Sequence, residues 1–302
     1  MSIQRDVSAP HRTALVLGGG GPIGIAWEAG LLLGLADGGV DLARADTILG
    51  TSAGSIVGTH LATLGHVEEL YAAQATPLDP SVKAPDMAPL MAAFFKAKLV
   101  ARNVQAQRRS IAKSARSARV AGEQEWLQAI AGFLPAGSAS DGGSGGASAG
   151  AWPARPLILT AIDVESGELA TWTRASGVPL PLAVASSCAV PCIFPLVNIG
   201  DRLYMDGGIG SPTNAALAQG AKQVVILHPL AHVLGSSSTL GAERRLLEKG
   251  GSRVVTLVMD RACSSLAGMN LMDPSQRERV AQLARAQGLE ASRQAPLEPF
   301  HG

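Results

Sequence analysis

The sequence predicts an α/β protein with three layers, in which helices cover both faces of a mostly parallel central sheet. An apolar run at residues 13–17 leads straight into a glycine-rich loop and then into a helical pattern. A second short apolar run, residues 47–49, is likewise followed at once by a helical pattern. Apolar runs without alternation that are separated by helices are typical of parallel strands buried on both faces.

The remaining elements extend this α/β pattern along the chain. Residues 136–150 consist almost entirely of Gly, Ser and Ala, so we expect a flexible loop inside one domain, residues 13–302, more than a domain boundary. Residues 90–131 form a predicted helical cap. The other predicted elements are a hairpin over 156–173, helices over 179–189 and 277–288, and strands over 203–205, 223–227 and 253–259.

Composition and charge limit the classes of protein to consider. The 302 residues are 47% hydrophobic with few aromatics, which fits a large core of closely packed helices and sheet. The net charge is +1, so we expect no nucleic-acid partner. The basic segment, residues 96–119, contains eight Lys or Arg and no Asp or Glu, and it begins at Lys96 and ends at Arg119.

Cysteine use and hydropathy bear on the location of the protein. Cys188, Cys192 and Cys263 form no C-x-x-C pair, so neither a disulfide framework nor a zinc site is expected. A reducing, cytoplasmic compartment is the simpler prediction. Residues 1–12 are polar, lack the apolar run of a signal peptide and are expected to form a disordered tail. No apolar run is long enough for a transmembrane helix.

A candidate nucleophile lies in residues 50–54. Their sequence, Gly-Thr-Ser-Ala-Gly, fits G-x-S-x-G, the strand-turn-helix elbow that exposes a nucleophilic serine. Ser52 would be that serine, and Gly50 and Gly54 leave room for the sharp turn. A small-residue turn with an N-capping serine is the competing interpretation.

The glycine-rich loop, residues 18–24, has two interpretations. It fits G-x-G-x-x-G, the dinucleotide fingerprint of an oxidoreductase, but Asp41 and Asp46 precede the second strand instead of following it. The other interpretation is an oxyanion hole, because main-chain N–H groups at a helix N-terminus stabilise negative charge. The N–H groups for that hole would come from Gly19, Gly20 and Gly21.

A nucleophilic serine needs a base, and the candidates are His228 and Asp206. The order Ser52, Asp206, His228 matches that of α/β-hydrolases, although a strand-end histidine with no catalytic role is the preferred interpretation of His228. Asp206 precedes Gly207 and Gly208, a turn that would hold its carboxylate at the sheet edge. A carboxylate hydrogen-bonded to a serine can serve as its base without histidine, whereas an ordinary Asp-Gly turn is the competing interpretation.

Four separated segments together resemble the patatin-like phospholipase family. They are the glycine loop, the elbow, the Asp-Gly-Gly turn at 206–208 and residues 185–195 shortly before that turn, in matching order and spacing. The resemblance runs from about residue 13 to residue 227. It implies a patatin-like fold and a serine lipid acyl hydrolase, of phospholipase A or esterase type, that works through an acyl-enzyme intermediate.

The resemblance also implies roles for particular residues. Ser52 would be the nucleophile and Asp206 the general base, with the oxyanion hole in the glycine loop and no metal or organic cofactor. The substrate would be a lipid or another acyl ester. The supporting turns would be formed by Gly24, Gly50, Gly54, Gly207 and Gly208.

One position departs from the family pattern. The family's loop usually carries Arg or Lys just before its last glycine, and this chain has Ile23 there. This departure leaves open a preference for neutral esters over phospholipids, and also a lipid-binding or regulatory module without turnover. A further hypothesis is that residues 96–119 dock on an anionic membrane, the competing interpretation being a solvated helix face.

Overall fold

Helices surround an eight-stranded sheet in the part of the chain that the computed structural model describes. That part comprises residues 12–78, 83–136, 151–230, 236–268, 270–294, 297 and 300. The predicted N-terminal tail apart from Arg12, and residues 137–150 of the predicted Gly/Ser loop, lie outside it. The strands are β1 (Thr13–Leu17), β2 (Thr47–Gly50), β3 (Leu157–Asp163), β4 (Leu169–Trp172), β5 (Val197–Ile199), β6 (Arg202–Asp206), β7 (Gln223–His228) and β8 (Arg253–Val258).

The α-helices lie between the strands and after the last of them. Over the residues described, none is both long and apolar enough to cross a membrane. The helices are α1 (Gly21–Asp37), α2 (Ala53–Leu64), α3 (Glu68–Ala72), α4 (Ala88–Val100), α5 (Val104–Arg116), α6 (Glu123–Gly132), α7 (Leu180–Ser187), α8 (Ser236–Lys249), α9 (Arg261–Ala267) and α10 (Arg277–Gln294).

The sheet is mostly parallel. Its order is β5-β6-β3-β2-β1-β7-β8, and β4 also pairs with β3. Strands β3, β2, β1, β7 and β8 are parallel neighbours, whereas β4 and β6 run antiparallel to β3. Because the carboxyl ends of neighbouring parallel strands meet at one edge, the loops that follow β1 and β2 lie side by side there.

Alternate residues of the central strands face opposite helical layers. In β1, Leu15 and Leu17 belong to a core with α1, α2 and α7. Ala14 and Val16 belong to a second core with α8 and the turn at Ala215–Ala218. Burial on both faces explains the unbroken apolar runs of the sequence. The predicted three-layer α/β/α class is confirmed.

The predicted cap at 90–131 consists of three helices, α4, α5 and α6. The break before α5 has a local cause, since the side chain of Asn103 accepts a hydrogen bond from the Ala106 N–H and caps the helix. Small residues of α4 and α5, such as Ala93 and Ala112, pack against Ile162 and Met205 of the sheet. The cap therefore lies beside β3 and β6.

Helix α10 packs directly on α1 through glycines spaced four residues apart. A Cβ on Gly34 would overlap the carbonyl oxygen of Arg285, and a Cβ on Gly288 would overlap that of Leu31. The predicted end of the last helix at Gly288 is wrong, because this glycine lies inside α10 and allows backbone contact with α1. Gly30 and Gly38 serve the same contact from α1.

We predict that Gly34→Ala destabilises the protein, whereas Gly132→Ala does not. The added methyl at residue 34 must separate α1 from α10, and overpacking of this kind costs about 1–3 kcal/mol. Among the residues described, no neighbour lies within 4 Å of a Cβ on Gly132, and alanine is the better helix former. Urea unfolding followed by circular dichroism measures both free energies. Equal midpoints for the two variants would contradict the close packing of α1 and α10.

Candidate active site

Ser52 lies in the turn between β2 and α2. Its φ of 52° and ψ of −120° are unusual for an L-residue, and a strained serine between strand and helix is the geometry of a nucleophile elbow. A Cβ on Gly50 would lie 2.6 Å from the Gly54 carbonyl oxygen, so the turn requires glycine there. The serine side chain does not cap α2, which leaves the alternative of an N-capping serine without support.

Three side chains hold the main chain of Ser52 in this conformation. Its N–H donates to Ser187 Oγ at 3.0 Å. Its carbonyl oxygen accepts hydrogen bonds from Ser55 Oγ at 2.6 Å and from Cys188 Sγ at 3.2 Å. Ser187 is the last residue of α7 and Cys188 follows it, so the segment that resembled the family before the Asp-Gly-Gly turn supports the elbow.

Asp206 meets Ser52 at the end of β6. The Ser52 hydroxyl lies 2.6 Å from Asp206 Oδ2. The other carboxylate oxygen, Oδ1, accepts a hydrogen bond from the Gly208 N–H at 2.6 Å. The two residues that the sequence predicted as nucleophile and base are therefore in direct contact, although 154 positions separate them.

Burial changes the acidity of the groups around Ser52. Desolvation raises the pKa of Asp206 to about 6, against the opposing effect of its hydrogen bonds from Ser52 and Gly208. Burial, with the negative charge of Asp206 nearby, also raises the pKa of the Cys188 thiol. The thiol therefore stays protonated and can donate to Ser52, whereas the carboxyl can take up or release a proton near neutral pH.

Asn214 connects the elbow to the Asp-Gly-Gly turn through hydrogen bonds of its side chain. Its buried Nδ2 lies within 3.3 Å of Thr51 Oγ1, Thr160 Oγ1 and the carbonyl oxygens of Gly207 and Ser211. Its φ of 49° is left-handed, which asparagine tolerates better than most residues. Sequence reasoning missed this residue because its partners come from three different segments, two of them more than 50 positions away.

The first half of the glycine loop is hydrogen-bonded into the fold. The Gly18 N–H donates to Glu28 Oε1 at 2.8 Å, and the Gly19 N–H donates to the Pro212 carbonyl oxygen at 2.8 Å. Glu28 is fully buried, which raises the pKa of its carboxyl well above the usual range. The Gly19 amide is therefore already engaged, in contrast to its predicted place in the oxyanion hole.

The second half of the loop has main-chain donors without partners. Helix α1 begins at Gly21, and the amides of Gly20 and Gly21 have no acceptor among the described residues. A Cβ on Gly19 would lie 3.4 Å from the Ser52 Cβ, so the loop passes directly beside the serine. Gly24 closes the turn by donating its N–H to the Gly20 carbonyl oxygen at 2.8 Å.

Ile23 faces the core instead of the site. Its side chain is fully buried, and its N–H donates to the Leu271 carbonyl oxygen at 3.3 Å. A Cβ on Gly21 would lie 2.9 Å from that same oxygen, so the segment after α9 lies against the start of α1. The position where the family usually carries a cation is thus an apolar core position in this chain.

The alternative base, His228, and the acid of the dinucleotide interpretation, Asp46, lie elsewhere in the sheet. His228 ends β7, which β1 separates from β2, and the Ser52 hydroxyl bonds to Asp206 instead. Asp46 accepts hydrogen bonds from the N–H and hydroxyl of Thr13 at the start of β1, the edge opposite the glycine loop. Asp46 is therefore too far along the sheet to serve as the ribose-binding acid of a dinucleotide site at this loop. No three His, Cys, Asp or Glu side chains in the described ranges are grouped so as to hold a metal ion.

Part of the basic segment is bound to the β3–β4 turn. Arg108 and Arg109 donate to the carbonyl oxygens of Gly167 and Ser166, both at 3.0 Å, and Arg116 pairs with Glu165. Arg108 also brings a cation to the Asp-Gly-Gly turn, because a Cβ on Gly210 would lie 3.0 Å from its Nη2. These three cations therefore fix α5 to the sheet.

The fold and the elbow define an α/β protein whose serine and aspartate meet at the carboxyl edge of a parallel sheet. A family model described as patatin-like phospholipase matches residues 15–218. The chain belongs to this family. The matched range contains the glycine loop, Ser52 and Asp206, and it ends before β7. No curated protein sequence matches the chain.

Comparison with solved structures found similar folds at low sequence identity. VipD from Legionella pneumophila is 14% identical, with 94% of this chain and 68% of VipD covered and a TM-score of 0.43. The type III effector protein ExoU is 18% identical, with 94% of this chain and 53% of ExoU covered and a TM-score of 0.42. The chain spans about half the length of ExoU, and similarity at this level adds nothing to the family assignment.

We predict that the side-chain amide of Asn214 stabilises the folded protein. Asn214→Ala and Asn214→Gly both leave buried acceptors without their donor, at a cost of about 1–3 kcal/mol, and both should lower the melting temperature. Glycine accepts the left-handed φ, so the difference between the variants isolates the backbone contribution. Thermal unfolding followed by circular dichroism measures this. A glycine variant as stable as the wild type would show that only the φ matters.

Proposed function

We propose that the protein is a serine hydrolase that cleaves acyl esters of lipids through a Ser52–Asp206 dyad. The observation that carries this proposal is the contact of 2.6 Å between the Ser52 hydroxyl and Asp206 Oδ2, on a strained elbow beside a glycine loop. Family membership supports the general activity, lipid acyl hydrolysis. The dyad and the class of ester belong to the proposal.

The proposed reaction has two half-reactions. Ser52 Oγ attacks the ester carbonyl carbon while Asp206 takes up the hydroxyl proton, and the amides of Gly20 and Gly21 stabilise the negative charge on the carbonyl oxygen. The alcohol leaves with that proton, and the acyl group remains on Ser52. Water then attacks the acyl-enzyme with Asp206 again as base, which releases the carboxylic acid and restores the serine. The chemistry uses no cofactor.

The acidity of Asp206 supports its role as a base. A base is most effective when its pKa lies near the working pH, and burial raises the pKa of Asp206 to about 6. A normal aspartate would be a much weaker proton acceptor. The hydroxyl of Ser52 and the amide of Gly208 hold the two carboxylate oxygens, so the group is already oriented when the substrate arrives.

We propose an acyl ester of a lipid as the substrate, and the two candidate classes are neutral esters and phospholipids. Ile23 lies in the core, so no cation comes from the family's usual loop position. Arg108 is a cation beside the Asp-Gly-Gly turn, because it reaches Gly210 from α5. A panel of p-nitrophenyl esters, lysophospholipids and phospholipids, applied to the wild type and to Arg108→Gln, separates a role in headgroup binding from one in packing.

The location is proposed to be cytoplasmic, with peripheral contact to an anionic membrane. Cys188, Cys192 and Cys263 are free thiols buried in the fold, which suits a reducing compartment. Three cations of the basic segment bind the β3–β4 turn. The other five make no ion pair within the described part of the chain and are proposed to face the membrane; they are Lys96, Lys98, Arg102, Lys113 and Arg119.

Active-site labelling with a fluorophosphonate probe tests the dyad. We expect the wild type to be labelled and Ser52→Ala not to be labelled, because the serine oxygen is the attacking atom. Asp206→Asn should be labelled at least about a hundredfold more slowly, since a general base contributes about 10²–10⁴-fold. His228→Asn should keep its labelling. Circular dichroism spectra check that each variant is folded.

Three results, from labelling together with binding assays, would replace the dyad. An inactive, folded His228→Asn together with a reactive Asp206→Asn would favour a histidine base. A wild type that ignores the probe and p-nitrophenyl esters, but binds lipid, would be a lipid-binding module without turnover. Binding of NAD without either reaction would support the oxidoreductase interpretation.

The pH dependence of labelling is a separate prediction. Asp206 accepts a proton only when ionised, so the rate should rise about tenfold from pH 5 to pH 7 around an apparent pKa near 6, then level off. The sign follows from the raised pKa, because the protonated, inactive form prevails below it. A rate that stays constant between pH 5 and pH 8 would remove Asp206 as the base. The slow reaction of Asp206→Asn should lack this step.

A further inference from the structure

Helix α4 is apolar on two opposite faces. Leu90, Ala93 and Ala97 are buried, and the two alanines belong to the cluster with α5 and the sheet. At about 100° per residue, Met91, Phe95 and Leu99 lie on the opposite face, where they are 62%, 68% and 71% exposed. We call these three residues the outer face of α4. A helix that only covers a core would carry polar residues there.

The exposed apolar residues are concentrated at this helix. Ten large hydrophobic residues are exposed in the described part of the chain, and six of them lie between residues 91 and 104. Exposed apolar residues that are grouped in this way mark an interaction site, whereas isolated ones do not. The six residues are Met91, Phe94, Phe95, Leu99, Val100 and Val104.

Cations border the outer face on both sides. Lys96 and Lys98 fall on opposite sides of Phe95 around the helix, and Arg102 follows the helix end. The sequence has no Asp or Glu between Asp86 and Glu123. In the residues described, these three cations take part in no ion pair, in contrast to the arginines that bind the β3–β4 turn.

We propose that the outer face of α4 inserts into a lipid surface, with Lys96 and Lys98 among the headgroups. An apolar face between two lysines is the arrangement of an interfacial helix, because long cationic side chains reach from the apolar layer to the phosphates. A second copy of the chain fits less well, since a twofold contact through this face would bring the lysines of both copies together.

The inferred docking face is coupled to the candidate active site by packing. The buried face of α4 shares a cluster with Met205 and Ile209, which flank the Asp206-Gly-Gly turn. A protein anchored through α4 would therefore hold this edge of the sheet near the lipid. The inference rests on the proposed function only in explaining why contact with lipid would be useful. The binding itself does not depend on that function.

Vesicle sedimentation tests the inference in a catalytically silent background, Ser52→Ala. The probes are vesicles of phosphatidylcholine alone and of phosphatidylcholine with phosphatidylglycerol. We expect Phe95→Gln with Leu99→Gln to lower partitioning at least tenfold on both vesicle types. Lys96→Gln with Lys98→Gln should lower it mainly on the anionic vesicles. Leu246→Gln with Leu283→Gln, at exposed apolar positions elsewhere, is the matched control and should bind like its parent.

The outcomes separate lipid docking from its rivals. Unchanged partitioning of the Phe95/Leu99 variant overturns the inference. A Ser52→Ala parent that binds neither vesicle type overturns it as well. If that parent also elutes as a dimer in gel filtration while the Phe95/Leu99 variant elutes as a monomer, the outer face is a contact between copies of the chain. Hydrolysis of a water-soluble p-nitrophenyl ester by the wild type reports on the proposed function separately, so failure of one does not imply failure of the other.

Discussion

The hydrogen bond between Ser52 and Asp206 is the interaction around which the rest of the site is arranged. The two residues come from the same side of β3, where β2 pairs with the first half of that strand and β6 with the second, while β4 pairs with the other side. The registers that place Gly50 opposite Leu159 and Asp206 opposite Ala161 bring both residues to one edge of the sheet. A shift of one residue in the β3–β6 pairing would turn the Asp206 carboxylate to the other face of the sheet.

The contact between Ser52 and Asp206 has free-energy costs, which hydrogen bonds from neighbouring side chains offset. A serine with a left-handed φ costs about 1–3 kcal/mol, and a buried carboxylate loses the solvation that water provides. Ser187 and Cys188 satisfy the main chain of Ser52, and Asn214 ties the elbow to the Asp-Gly-Gly turn. These polar side chains take no part in the proposed reaction. They hold Ser52 and Asp206 in the geometry that the proposed dyad requires.

Patterns in the sequence were informative for the buried strands and the elbow, and misleading for two helices, α10 and α4, that have a second face in contact or exposed. The strands of the core and the elbow glycines could be predicted, because their patterns reflect local sterics. The extent of α10 could not, since Gly288 looks like a helix end until α1 is placed against it. The outer face of α4 was hidden as well, because its apolar residues merge with those of the buried face into one unpatterned run.

The sequence by itself determined the α/β class and the position of the elbow, because glycine-dependent turns and buried strands are local properties. It also singled out Ser52 and Asp206, the two side chains that the structure brings into contact. Only the tertiary structure decided which groups are engaged. It showed the Gly19 amide bound to Pro212, His228 ending a strand that is not adjacent to β2, and Ile23 in the core. Such partners are set by strand order and register, which join residues more than 100 positions apart, and no local pattern encodes them.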